Sequence, residues 1–138
     1  MAADWEYMLT ASAELASLDR VHALLEAAWT AREDVLPADR IHFAIAVTEV
    51  AGNIIEHSSD GRALEFSLHI RVGDASLEAE FEDPGRRVNV DLTSVGLPAD
   101  LAESGRGLAP TLRCVDRLEY RREGQVNHWR MVRHRADG

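Results

Sequence analysis

Three small groups of residues in this chain have types and spacings that can do chemistry. Glu49, Asn53 and His57 recur at four-residue intervals within IHFAIAVTEVAGNIIEHS, residues 41–58. On a helix that interval stacks them along one face, with Glu56 and His42 beside them. A carboxylate one turn from an amide can hold an octahedral Mg²⁺ through one oxygen and waters, and it can orient or deprotonate a nucleophile. A merely solvated helix face has the same composition. Asp83-Pro84-Gly85 places an acceptor for an exocyclic amine beside a glycine that lets a ring approach the backbone, although a simple turn reads alike. Gly105-Arg106-Gly107-Leu108 opens a helix, where N–H groups and the positive dipole end suit a phosphate. It has no third glycine and no strand directly before it, so the dinucleotide fingerprint does not fit.

The elements that must position these groups follow from periodicity. Trp5, Tyr7 and Leu9 alternate with Glu6 and Met8, which predicts a short first strand. From Ala13 to about Arg32, Leu15, Leu18, Val21, Leu24, Leu25, Ala28 and Trp29 recur at helical spacing. Pro37, with Asp39 behind it, starts a second helix expected to run to Ser58. That helix is apolar on two arcs, Ile41/Ala44/Ile45/Thr48/Gly52/Ile55 and Phe43/Val47/Val50/Ile54, so it is expected to pack on both flanks with its polar stripe facing a cleft. Residues 63–72 and 75–81 alternate as two strands linked by Gly73-Asp74, an antiparallel hairpin. Periodicity is lost over 82–104, a loop long enough to suggest function. A short third helix with Ala109, Leu112, Val115 and Leu118 follows, then two strands around Glu123-Gly124. This order predicts an α+β fold in two layers: one largely antiparallel sheet with helices on one face. The 138 residues suit one domain.

Composition excludes several classes. With 46% hydrophobic and 28% charged residues the balance is that of a folded soluble protein. No apolar run has the length of a membrane span, and MAADWEYM lacks the features of a secretion signal, so a cytoplasmic location is expected. The net charge of −9 leaves no basic footprint for nucleic acid. Cys114 stands alone and reads as a small buried hydrophobe. His22, His42, His69, His128 and His134 show no metal-ligand spacing, His57 has no His-Glu-x-x-His partner, and no Gly-x-Ser-x-Gly elbow supports a hydrolase.

Together, and in this order, the three groups resemble the motif boxes of the GHKL ATP-binding family, most closely its anti-sigma-factor serine kinase branch, over nearly the whole chain. Residues 49–57 look like the N box. The resemblance implies that Glu49 is the general base and Asn53 the ligand of Mg²⁺. It implies that Asp83, with Gly85, recognises the adenine amino group of ATP, and that Gly105, Arg106, Gly107 and Leu108 line the phosphates, with 86–104 as the lid. Arg106 could reach the γ-phosphate or stand solvated at the helix entry. It further implies phosphorylation of a serine on a STAS-type anti-sigma factor antagonist, sequestration of a sigma factor and homodimerisation through the first strand and helix. A non-catalytic module that sequesters its partner is the alternative. Two departures stand out. Arg86-Arg87 occupies a place where many members have a second glycine, and could narrow the cleft or approach phosphate. Where the family often has a threonine facing adenine, the nearest residues here are Val126 and Asn127.

Overall fold

The computed structural model of the chain describes residues 5–59, 62–88, 111 and 113–136. Strand β1 (Trp5–Ser12) leads through a short 3₁₀ turn (Leu15–Ser17) into helix α1 (Leu18–Ala31) and then α2 (Pro37–Asn53). A π-helical turn, Ile54–Ser58, continues α2. Strands β2 (Glu65–Val72), β3 (Ser76–Asp83), β4 (Arg117–Glu123) and β5 (Val126–His134) complete one five-stranded sheet in the order β1-β2-β3-β5-β4. Each neighbouring pair is antiparallel. The α+β, two-layer expectation is therefore met.

Alternation decides which face the helices cover. Leu68, Ile70 and Val72 of β2 pair across to Phe81, Ala79 and Leu77 of β3, and Trp129 and Met131 of β5 extend the same row. All of these are buried, with Val21, Leu25 and Ala28 of α1 and Phe43, Ala46, Val47, Val50 and Ala51 of α2. On the other face, polar side chains of neighbouring strands pair: Glu6 bonds His69, and Arg130 bonds Glu78 and Glu119. Among the described residues no helix is long and apolar enough to cross a membrane.

Three expectations change. Helix α2 buries one flank fully at Phe43, Val47 and Val50, whereas the other arc is open at its start, with Ile41 59% and Ile45 39% exposed, and closes only toward its end, where Ile55 is 8% exposed. The second helix leaves α geometry at Asn53, where the amide of Ser59 donates to the carbonyl of Ile54 at 3.0 Å, a five-residue bond. Leu118 lies in β4, opposite Met131, and not in a third helix. Its i, i+3 spacing with Val115 satisfies a helix, but the alternation Leu118, Tyr120 pairs with β5 and buries Leu118. Cys114 is buried, as expected.

Candidate functional site

Asn53 closes the α-helical part of α2 and is 7% exposed, and Glu49 sits one turn earlier, half-buried. The Oδ1 atom of Asn53 is buried and has no hydrogen-bond partner among the described residues. Buried acceptors without a donor are rare and call for an explanation. Glu49 lines a groove of about 370 Å³ between α1 and α2, with His22, Leu25, Glu26, Trp29, Ala44, Ile45 and Thr48. The π-helical turn carries His57 off the Glu49/Asn53 line, since a widened turn shifts every later residue around the axis. His57 instead contributes its carbonyl, which accepts from Arg86 Nε at 2.7 Å.

The end of β3 stands against this turn. Asp83 is 1% exposed, and its Oδ1 accepts from the backbone N–H of Gly85 at 2.9 Å and from Asn127 Nδ2 at 3.0 Å. Its Oδ2 is buried without a partner among the described residues. Burial raises the pKa of this carboxyl above its ordinary value, against the opposing hydrogen bonds of Asn127 and Gly85 and the positive charge of Arg122 and His128. Gly85 is required by its surroundings: a Cβ there would lie 2.3 Å from the carbonyl oxygen of Ser58. The next residue, Arg86, donates its backbone N–H to that same oxygen at 2.8 Å. The glycine therefore lets the chain beyond β3 pass against the turn that follows Asn53.

The structure thus sets His57 and Ser58, in the turn that follows Asn53, against Gly85 and Arg86 just beyond Asp83, with Glu49 one turn before Asn53 along α2. Gly105, Arg106, Gly107 and Leu108, and the expected lid from residue 89 onward, lie outside the described residues. Of the arginine pair, Arg86 is engaged at the end of the π-helical turn and Arg87 is exposed. The described residues hold no cluster of three metal-ligating side chains.

Two residues escaped sequence reasoning. Arg122 and Tyr120 of β4 both bond Asn127, whose partner in register is Arg122. The available signal was the hairpin: a two-residue loop at Gly124, with φ of +59°, puts Arg122 opposite Asn127.

The family model of histidine kinase-like ATPase domains matches residues 11–133. The chain belongs to the histidine kinase-like ATPase family. ATP binding is the property that this ATPase domain implies. Among solved structures, the RsbU and RsbW domains of Rv1364c from Mycobacterium tuberculosis share the fold with a TM-score of 0.62. Identity is 18%, and the alignment covers 94% of this chain but 32% of that one. Comparison with curated proteins returns no match.

Proposed function

We propose that this ATPase-family domain binds ATP with Mg²⁺ where α2 ends against β3, and that it is an anti-sigma-type serine protein kinase. The observation that carries the nucleotide site is that two of the buried side-chain oxygens without a partner among the described residues, Asn53 Oδ1 and Asp83 Oδ2, lie at the two expected ligand positions. Both are acceptors, and the implied ligand needs two: an oxygen donor for a hard cation and an acceptor for an exocyclic amine. The residues present therefore fit the group.

In this proposal Asp83 Oδ2 would accept a hydrogen bond from the purine amino group and Asn53 Oδ1 would hold the metal. Glu49 accepts the proton of the attacking serine hydroxyl, and Gly105, Arg106, Gly107 and Leu108 face the phosphates. ATP supplies the phosphoryl group, and catalysis is mostly positioning and charge neutralisation. The domain spans residues 1–138 with its lid at about 86–104. The substrate is a serine of a STAS-type antagonist, and a sigma factor is the sequestered partner of a homodimer. The motif resemblance and the likeness of fold to a structure containing an RsbW domain support this reading.

Titration with ATP and Mg²⁺, followed by labelled-phosphate transfer to a STAS-type antagonist, tests it. Glu49→Ala should lower transfer by ~100-fold or more, the scale for loss of a positioned acid–base group, and Asn53→Ala should both lower transfer and weaken Mg²⁺-dependent binding. Unchanged transfer in both variants would remove the assignment. Binding without transfer in the wild type would instead favour the sequestering module.

A further inference from the structure

Asn127 lies between two strands at the base of the proposed nucleotide site and is fully buried. Its Nδ2 donates to Asp83 Oδ1 at 3.0 Å and to the carbonyl of Arg86 at 2.8 Å. Its Oδ1 accepts from Arg122 Nη1 at 2.9 Å and from the hydroxyl of Tyr120. A primary amide offers two donor hydrogens and two acceptor lone pairs, so every position is used. The amide orientation follows from the chemistry of its partners, because a guanidinium can only donate and a carbonyl can only accept. Asn127 has no capacity left for a ligand.

The two residues behind it are themselves fixed. The Nη1 of Arg122 also donates to the carbonyl of Gly85 at 2.9 Å. The Tyr120 hydroxyl accepts the backbone N–H of Val88 at 3.0 Å, and its ring packs on Trp129 with centroids 4.6 Å apart. Asp83 Oδ1 is thereby held by two donors that belong to one frame, and Oδ2 has no partner among the described residues.

We propose that Asn127, oriented by Arg122 and Tyr120, is a positioning residue that sets base specificity by leaving Asp83 a single acceptor oxygen for a 6-amino purine. This rests on the nucleotide site proposed above. A fixed acceptor oxygen favours an amino group and repels a 6-oxo group, so selectivity comes from an unfavourable as well as a favourable contact. If the frame loosens, the carboxyl can rotate and the preference weakens, while contacts to the sugar and phosphates stay as they were.

The test compares ATP with purine riboside triphosphate, which lacks only the 6-amino group, by equilibrium titration with Mg²⁺ present. Wild-type protein should bind ATP ~10- to 100-fold more tightly, the scale of one hydrogen bond to a charged group. Tyr120→Phe and Arg122→Gln should each cut that ratio to about a third or less of the wild-type value, with purine riboside triphosphate affinity nearly unchanged. Tyr120→Phe keeps the ring on Trp129, and thermal unfolding verifies that both variants are folded. Equal weakening of both nucleotides, the result of a purely structural role, would overturn the proposal, as would an unchanged ratio. Failure of the wild type to bind ATP would overturn the nucleotide site itself.

Discussion

The two oxygens of Asp83 have different environments, and that difference has opposite consequences for stability and binding. Burial raises the pKa of the carboxyl above 3.8 despite the hydrogen bonds from Asn127 and Gly85. Between the unfolded and the raised folded value the native state holds more protons than the unfolded chain, so ionisation of Asp83 makes stability fall as pH rises through that window. Above it the fold carries a buried charge that Asp83→Asn would remove. The nucleotide-free variant is therefore expected to melt at a higher temperature than wild type at neutral pH, and ATP, which raises the melting temperature of a protein it binds, should no longer do so. Binding has the other sign. A proton on this carboxyl goes to Oδ2, since Oδ1 already accepts two hydrogens, and it occupies the oxygen that meets the amine. ATP affinity should therefore weaken on acidification, beginning at a pH above the ordinary aspartate value. A less stable variant that retained its response to ATP would contradict both expectations.

At the scale of elements, α2 separates what a sequence shows from what only packing decides. Its four-residue spacings place Glu49 and Asn53 on one face without any knowledge of the fold, and the Asp83-Pro84-Gly85 group is equally local. The second apolar flank had no such guarantee, because whether Ile41 and Ile45 are covered depends on what lies beside them. The π-helical turn was hidden for a related reason. Ile54–Ser58 has a helical pattern in either geometry, and Ser58 is engaged by Gly85 and Arg86, far along the chain. The Arg122–Asn127–Tyr120 frame depends on cross-strand register, which residue types alone do not display. Two isoleucines on this one element give a direct check. Ile54 is fully buried, so Ile54→Ala should cost about 2–5 kcal/mol in urea unfolding. Ile41→Ala should stay within about 0.5 kcal/mol, since it removes little buried surface and alanine favours a helix. A comparable loss at Ile41 would mean that a second copy or a partner covers that flank.

Across the whole molecule, polar networks lie at the two ends of the sheet and differ in kind. At the end holding Asp83 and Asn127, the Asp83 Oδ2 oxygen has no partner among the described residues. At the other end the groups close on themselves. Arg32 bonds both oxygens of Asp34 at 2.9 Å, Asp74 at 2.8 Å and the carbonyl of Val72 at 3.3 Å. Arg135 bonds the Asp34 carboxylate at 2.9 Å and the carbonyl of Gly73 at 2.8 Å. Both guanidinium groups are buried. This clamp ties the end of α1, the approach to α2, the β2–β3 link and the residue after β5. The bonds of Arg32 and then Arg135 hold the Asp34 carboxyl well below the usual range. Its folded-state pKa is depressed, so its contribution is present above about 3.8 and is lost as pH falls through the folded value. Removing one member of a fully buried pair costs about 3–5 kcal/mol, but the Asp34 side chain is 52% exposed and solvent screening reduces this. Asp34→Asn is therefore expected to lose on the order of 2 kcal/mol at neutral pH, with the gap to wild type closing on acidification. ATP affinity should not change, because the clamp and the proposed site share no residue. Acid unfolding of the two proteins, with an ATP titration of each at neutral pH, measures both. A loss of affinity that tracked the loss of stability would show that the two ends of the sheet are coupled.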